Sequence, residues 1–155
     1  MTPHRKTWAM VWARLDGWVI RCMQAHGIRV LRIALGIVFI WFGLLKVIGR
    51  SPVVELVART VYWVDPRWFV PFLGFWETVV GVGLLFAVAL RATLFLFWLQ
   101  LAGTFLVLVL HPGIAFQDHN PLLLTTEGEF VVKNLVLIAG GLAVGGTVGR
   151  GRGST

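Results

Sequence analysis

The chain has 155 residues, 57% of them hydrophobic and 14% charged, with a formal net charge of +7; its mean hydropathy is +0.82. Soluble domains use about 45–50% apolar residues, and here the excess is gathered into long runs, which argues against a soluble domain. Cys22 is the only cysteine, so an internal disulfide and a CxxC redox couple are both excluded.

Residues 1–28 read as an amphipathic helix. Trp8, Trp12, Leu15, Val19, Cys22 and Met23 recur at spacings of three and four, while Arg14, Arg21 and Gln24 fall opposite. Such a helix is expected to lie at the membrane interface, with Trp8 and Trp12 among the headgroups and Arg14 and Arg21 toward anionic lipid. The alternative is packing against another subunit. The stretch is partly charged and has no small-x-small cleavage site after it, which argues against a removable signal peptide.

Four spans follow, at about residues 30–48, 70–90, 92–110 and 130–148, each close to the ~20 residues that cross ~30 Å of hydrocarbon. As one straight helix, Val70 to Leu110 would extend about 60 Å, so the chain is expected to fold back near Arg91. Continuous apolar runs of this length form helices, because barrel strands are short and alternate. The predicted fold is all-α: a membrane-embedded four-helix bundle over residues 29–149, preceded by the interfacial helix and followed by a basic tail at 150–155.

Each span carries its polar and small residues on one stripe. These are Arg32, Gly36, Phe39, Gly43 and Lys46 in span one, and Gly74, Glu77 and Gly81 in span two. Span three has Gln100, Thr104, Val107 and His111, and span four has Glu129, Lys133, Val136 and Gly140. Small residues let membrane helices approach closely and polar ones avoid lipid, so all four stripes are expected to face inward. Between spans one and two, Trp63, Trp68, Pro52 and Pro66 mark an interfacial loop, with a short helix predicted around Val53 to Val61. Before span four, Thr126 with Glu129 three positions on resembles a capping box.

Charge placement sets an orientation. With the N-terminus inside, Arg5, Lys6, Arg14, Arg21, Arg29, Arg91, Arg150 and Arg152 all fall on the cytoplasmic side. Arg50, Arg59 and Arg67 then face out, together with Glu55, Asp65, Asp118 and Glu127. That asymmetry follows the positive-inside rule and puts both termini in the cytoplasm. It also accounts for the net charge without a nucleic-acid partner.

In this topology Lys46, Glu77, His111, Glu129, Lys133 and Asn134 converge in the outer half of the bundle, with Glu77 about two turns deep. Charge inside hydrocarbon costs several kcal/mol, on the order of 3 or more, so the cluster is a candidate ligand or functional site. Each member has a plainer reading. Glu77 can pair with Lys46 or Lys133, Lys46 can snorkel to the interface, and Glu129 with Lys133 has the i, i+4 order of a local helix pair. Arg32 reads as a lipid-phosphate contact. His111, Asp118 and His119 match no defined metal spacing, so no metal site is expected, and His4, His26, His111 and His119 are not placed to face one another across a haem.

RIALGIVFIWFGLLKVIG at Arg32 to Gly49, WETVVGVGLLF at Trp76 to Phe86 and EGEFVVKNLVLIAGG at Glu127 to Gly141 together resemble the DoxX-like membrane family, most of all its YkgB/RclC branch. The family's first-helix Gly leading to Lys, second-helix Glu followed by glycines, and fourth-helix Lys followed by an amide or acid match Gly43 with Lys46, Glu77 with Gly81, and Lys133 with Asn134. The resemblance implies a small inner-membrane protein tied to quinone-linked oxidoreductase assemblies or to oxidative and reactive-chlorine stress. On that reading the polar cluster, with Trp41, Phe75 and Trp76 nearby, holds a quinone headgroup or faces an oxidoreductase partner. No redox centre is encoded, so the chain is not expected to be an enzyme on its own. Two alternatives stay open: a non-catalytic scaffold or assembly factor whose tryptophan-rich N-terminal helix recruits a partner, and, with less support, a proton or ion translocator using Glu77; a homo-oligomer is compatible with each.

Overall fold

The computed structural model describes residues 3–51, 54, 57 and 64–148, without the side chains of 3–11, 13, 107 and 119. The predicted short helix around Val53 to Val61, the tail at 150–155 and the side chain of Trp8 thus lie outside the described residues or only partly within them. The fold is all-α. Four long apolar helices, α1 (Pro3–Val47), α2 (Pro66–Phe86), α3 (Leu90–Leu110) and α5 (Thr126–Gly145), are joined by a short α4 (Pro112–Ala115) and a 3-10 turn at Gln117–His119. The one β feature among the described residues is an isolated bridge between Phe116 and Leu124.

Close contacts set the directions. Gly36 meets Gly81 and Gly43 meets Gly74, so α2 runs antiparallel to α1. Glu77 with Gln100 and Gly83 with Thr93 do the same for α2 and α3. Phe97 with Gly141, and Phe42 with Phe130, close the ring through α5. The result is an up-down-up-down bundle in which α1 and α3 each pack on α2 and α5. All four helices are long and apolar enough to cross a membrane.

The tightest seam is between α1 and α2. A Cβ on Gly43 would lie 2.6 Å from the Gly74 carbonyl oxygen, and one on Gly81 would lie 2.7 Å from that of Gly36. The two glycine pairs are one heptad apart on each helix, so backbones touch along two turns, as small-residue membrane seams do.

The half of the bundle nearer the N-terminal extension, called proximal below, holds the main core: Leu35, Phe39, Val80, Leu84, Leu94, Phe97, Leu101 and Val144. Arg32 closes it. Its guanidinium donates to the carbonyls of Leu84 and Leu85, two of the orphan acceptors at the C-terminus of α2. It is therefore a helix cap rather than the lipid contact expected of it. Distally, Val131 packs with Phe105, Leu108 and Ile114 under a small roof. The roof is tied down by Thr125, whose hydroxyl donates to the Ile114 carbonyl and whose amide donates to that of Ala115.

Element boundaries differ from expectation where local chemistry decides them. Asp65 caps α2 by accepting from the Arg67 amide, with Pro66 at the first helical position, so the helix starts four residues before the apolar run does. The fold-back expected near Arg91 comes at Ala87 to Ala89, through alanines at φ 57° and 42°. Thr125, not Thr126, caps α5 by accepting from Gly128 N–H, so the capping box with Glu129 does not form. The N-terminal stretch is continuous with span one. α1 passes residue 28 without a break, and nearly every described side chain from Trp12 to Val30 is exposed, on all sides.

Candidate functional site

At mid-depth, Lys46, Glu77 and Gln100 form a buried polar triad from three helices. The Lys46 ammonium donates to Glu77 Oε2 at 2.5 Å and Gln100 Nε2 donates to Oε1 at 2.7 Å. Both carboxylate oxygens are thereby satisfied, as burial requires. The lysine and glutamate side chains are only 7% and 11% exposed.

Helix direction explains why Lys46 turns inward instead of snorkelling. A helical Cα–Cβ bond tilts toward the helix N-terminus. Lys46 sits one residue from the distal end of α1, so its side chain leans back into the bundle. Glu77 lies about three turns into α2, which runs the other way, so it leans distally toward the lysine. Glu77 is thus deeper than two turns, because α2 begins at Pro66.

The six-residue cluster divides. Lys46 and Glu77 meet, and Lys133 and Asn134 line the same cavity. Glu129 does not join them. It accepts from Lys133 at 3.0 Å in a surface pair whose side chains are 56% and 75% exposed. His111 is separate too, at the start of α4 outside the cavity wall, with Nε2 buried and without a hydrogen-bond partner among the described residues. Among the described residues no group of three His, Cys, Asp or Glu could hold a metal ion, and the His119 side chain lies outside them.

The error in span four has a simple form. The expected stripe was Glu129, Lys133, Val136 and Gly140, yet Val136 is 72% exposed. Of that stripe Gly140 is buried against Leu31 and Leu35 and Lys133 lines the cavity, while a second lining stripe, Phe130, Asn134 and Leu137, lies one residue later, a rotation of about 100°. Charges in the first turns of a span sit near the headgroups and can face out, so they do not report the buried face. Gln100, which completes the triad, was legible on its stripe beside Thr104 but was not assigned to the cluster.

Above the triad lies a cavity of about 500 Å³, walled by all four long helices. Lys46, Glu77, Gln100 and Thr104 supply its polar groups, and Phe39, Phe69, Phe72, Trp76 and Phe130 much of its apolar wall. Trp76 is held by donating its indole N–H to the Leu96 carbonyl at 3.2 Å. Trp41 and Phe75, expected beside the cluster, instead point out of the bundle. An apolar chamber with a few convergent polar groups is the usual form of a small-molecule site.

Comparison with protein-family profiles, with curated proteins and with solved structures gives no match. The fold and composition themselves define the class: a multi-pass α-helical membrane protein with a chamber inside its bundle.

Proposed function

We propose that this is a DoxX-like protein of the bacterial inner membrane, a non-autonomous subunit or accessory of a redox or oxidative-stress system, whose chamber holds a quinone-class ring. The carrying observation is the buried Lys46–Glu77–Gln100 triad at the floor of an aromatic-walled cavity of about 500 Å³. An ammonium has three N–H donors, and Glu77 is the one hydrogen-bond partner of Lys46 among the described residues. A ring carbonyl can therefore accept from Lys46 while the ion pair stays intact. Electrons would come from an oxidoreductase partner, since the chain supplies binding and orientation only.

The test is to purify the protein from native membranes in mild detergent, extract it, and identify bound quinone by chromatography and absorption, alongside native mass spectrometry for partners. Stoichiometric quinone that is lost in folded Glu77→Gln supports the reading. A quinone-free sample that also fails to bind added quinone would sink it and leave the scaffold, for which the exposed Trp12 face of α1 is the natural contact.

A further inference from the structure

The walls of the chamber are unequal. The α1–α2 side is sealed by backbone contact at Gly43 and Gly74, and the α1–α5 side by the edge-to-face pair of Phe42 and Phe130, with centroids 6.4 Å apart. Between α2 and α3 the hydrogen bonds among the described residues lie at the chamber floor, where Trp76 bonds to Leu96 and Gln100 to Glu77. Distal to the Trp76 bond, Phe72 of α2 and Leu99, Gly103 and Leu106 of α3 line the chamber and are exposed. A Cβ on Gly103 would meet nothing within 4 Å among the described residues. Two other lining residues are exposed, Phe42 and Lys133, but Phe42 closes on Phe130 and Lys133 is paired with Glu129. Among the described residues the α2–α3 wall alone joins four exposed lining residues, an unfilled glycine among them, and its surface faces the acyl chains.

Size points the same way. At ~30 Å³ for each water-sized unit, the chamber holds about 17 such units, enough for a substituted ring of about a dozen non-hydrogen atoms but not for a long hydrocarbon chain as well. Resting on the ligand site proposed above, we infer that the ligand is a tailed, lipid-dissolved amphiphile that reaches the chamber sideways from the bilayer, between α2 and α3. Its ring stands on the Lys46–Glu77–Gln100 floor and its tail leaves past Phe72, Leu99, Gly103 and Leu106. The apolar rim of this opening excludes water-soluble ligands from the same route.

The test uses the full chain in lipid nanodiscs and two probes with the same benzoquinone ring, one bearing a decyl tail and one without. Affinity is read from quenching of tryptophan fluorescence. Gly103→Phe fills the opening, Leu99→Trp narrows it by an independent change, and Val109→Phe on the outward face of α3 is the control. The expected result is a loss of roughly tenfold or more for the tailed probe in both opening variants, the scale of an overpacked contact. The tailless probe and the control stay unchanged. Unaltered affinity of the tailed probe in both variants, or equal weakening of the two probes, overturns the lateral route while wild-type binding still upholds the ligand site. If neither probe binds the wild type, the ligand site falls and the route with it.

Discussion

The proximal and distal halves of the bundle are built from the same four helices and differ in what fills them. Proximally, Phe97 stacks on Phe39 with centroids 5.0 Å apart, Leu84 and Val80 are fully buried, and the Arg32 guanidinium ties the end of α2 to α1. Distally the same helices surround a chamber and a salt bridge. The glycine seam spans both halves. One seam is thereby closed by backbone contact along its length, while the filled core and the chamber are separated along the bundle axis.

Four measurements can break or sharpen that contrast. The largest effects should come from Phe97→Ala, at about 3 to 5 kcal/mol of folding stability in a reversible detergent-unfolding assay, because it empties a closed core. Leu73→Ala, which only enlarges the existing chamber, should cost clearly less; equal costs would erase the distinction between the halves. Glu77→Ala should cost about 3 to 5 kcal/mol by stranding Lys46 in the interior, whereas Lys46→Met with Glu77→Leu should be near neutral for stability and abolish ligand binding. A double variant as unstable as the single one would make the pair structural. Gly74→Val should cost about 1 to 3 kcal/mol by forcing α1 away from α2, with Gly103→Val close to neutral in the same assay. Smallest of all, Glu129→Gln should change stability by less than about 1 kcal/mol and leave ligand affinity unaltered, as for other exposed pairs; a large loss of affinity would return Glu129 to the site.

The inward stripes of spans one and two were legible because glycine and charge coincide on them: Gly36, Gly43 and Lys46 on one helix, Gly74, Glu77 and Gly81 on the other. In span four the signal is split, because Gly140 and Gly141 are both buried and lie on adjacent stripes. Following the charges placed Glu129 and Val136 inside, whereas both are exposed; Lys133 does line the chamber and Gly140 is buried, beside Asn134 and Gly141. The turn itself was expected near Arg91, but its left-handed form at Ala87 and Ala89 was not legible, for another reason. Left-handed backbone is normally announced by glycine, and here alanines adopt it, supported by the Thr93 hydroxyl donating to the Val88 carbonyl at 2.8 Å.

By itself the amino-acid sequence determined the class, the number of spans and the pairing of Lys46 with Glu77 as one of a few options, since run length against bilayer thickness and the cost of buried charge act on any chain of this composition. Tertiary structure alone decided that Gln100 completes the pair, that Arg32 caps a neighbouring helix, and that packing stops short of filling the distal half. Those outcomes depend on helix rotation and relative depth, where a single residue of register turns a side chain by about 100° and moves it from chamber to lipid.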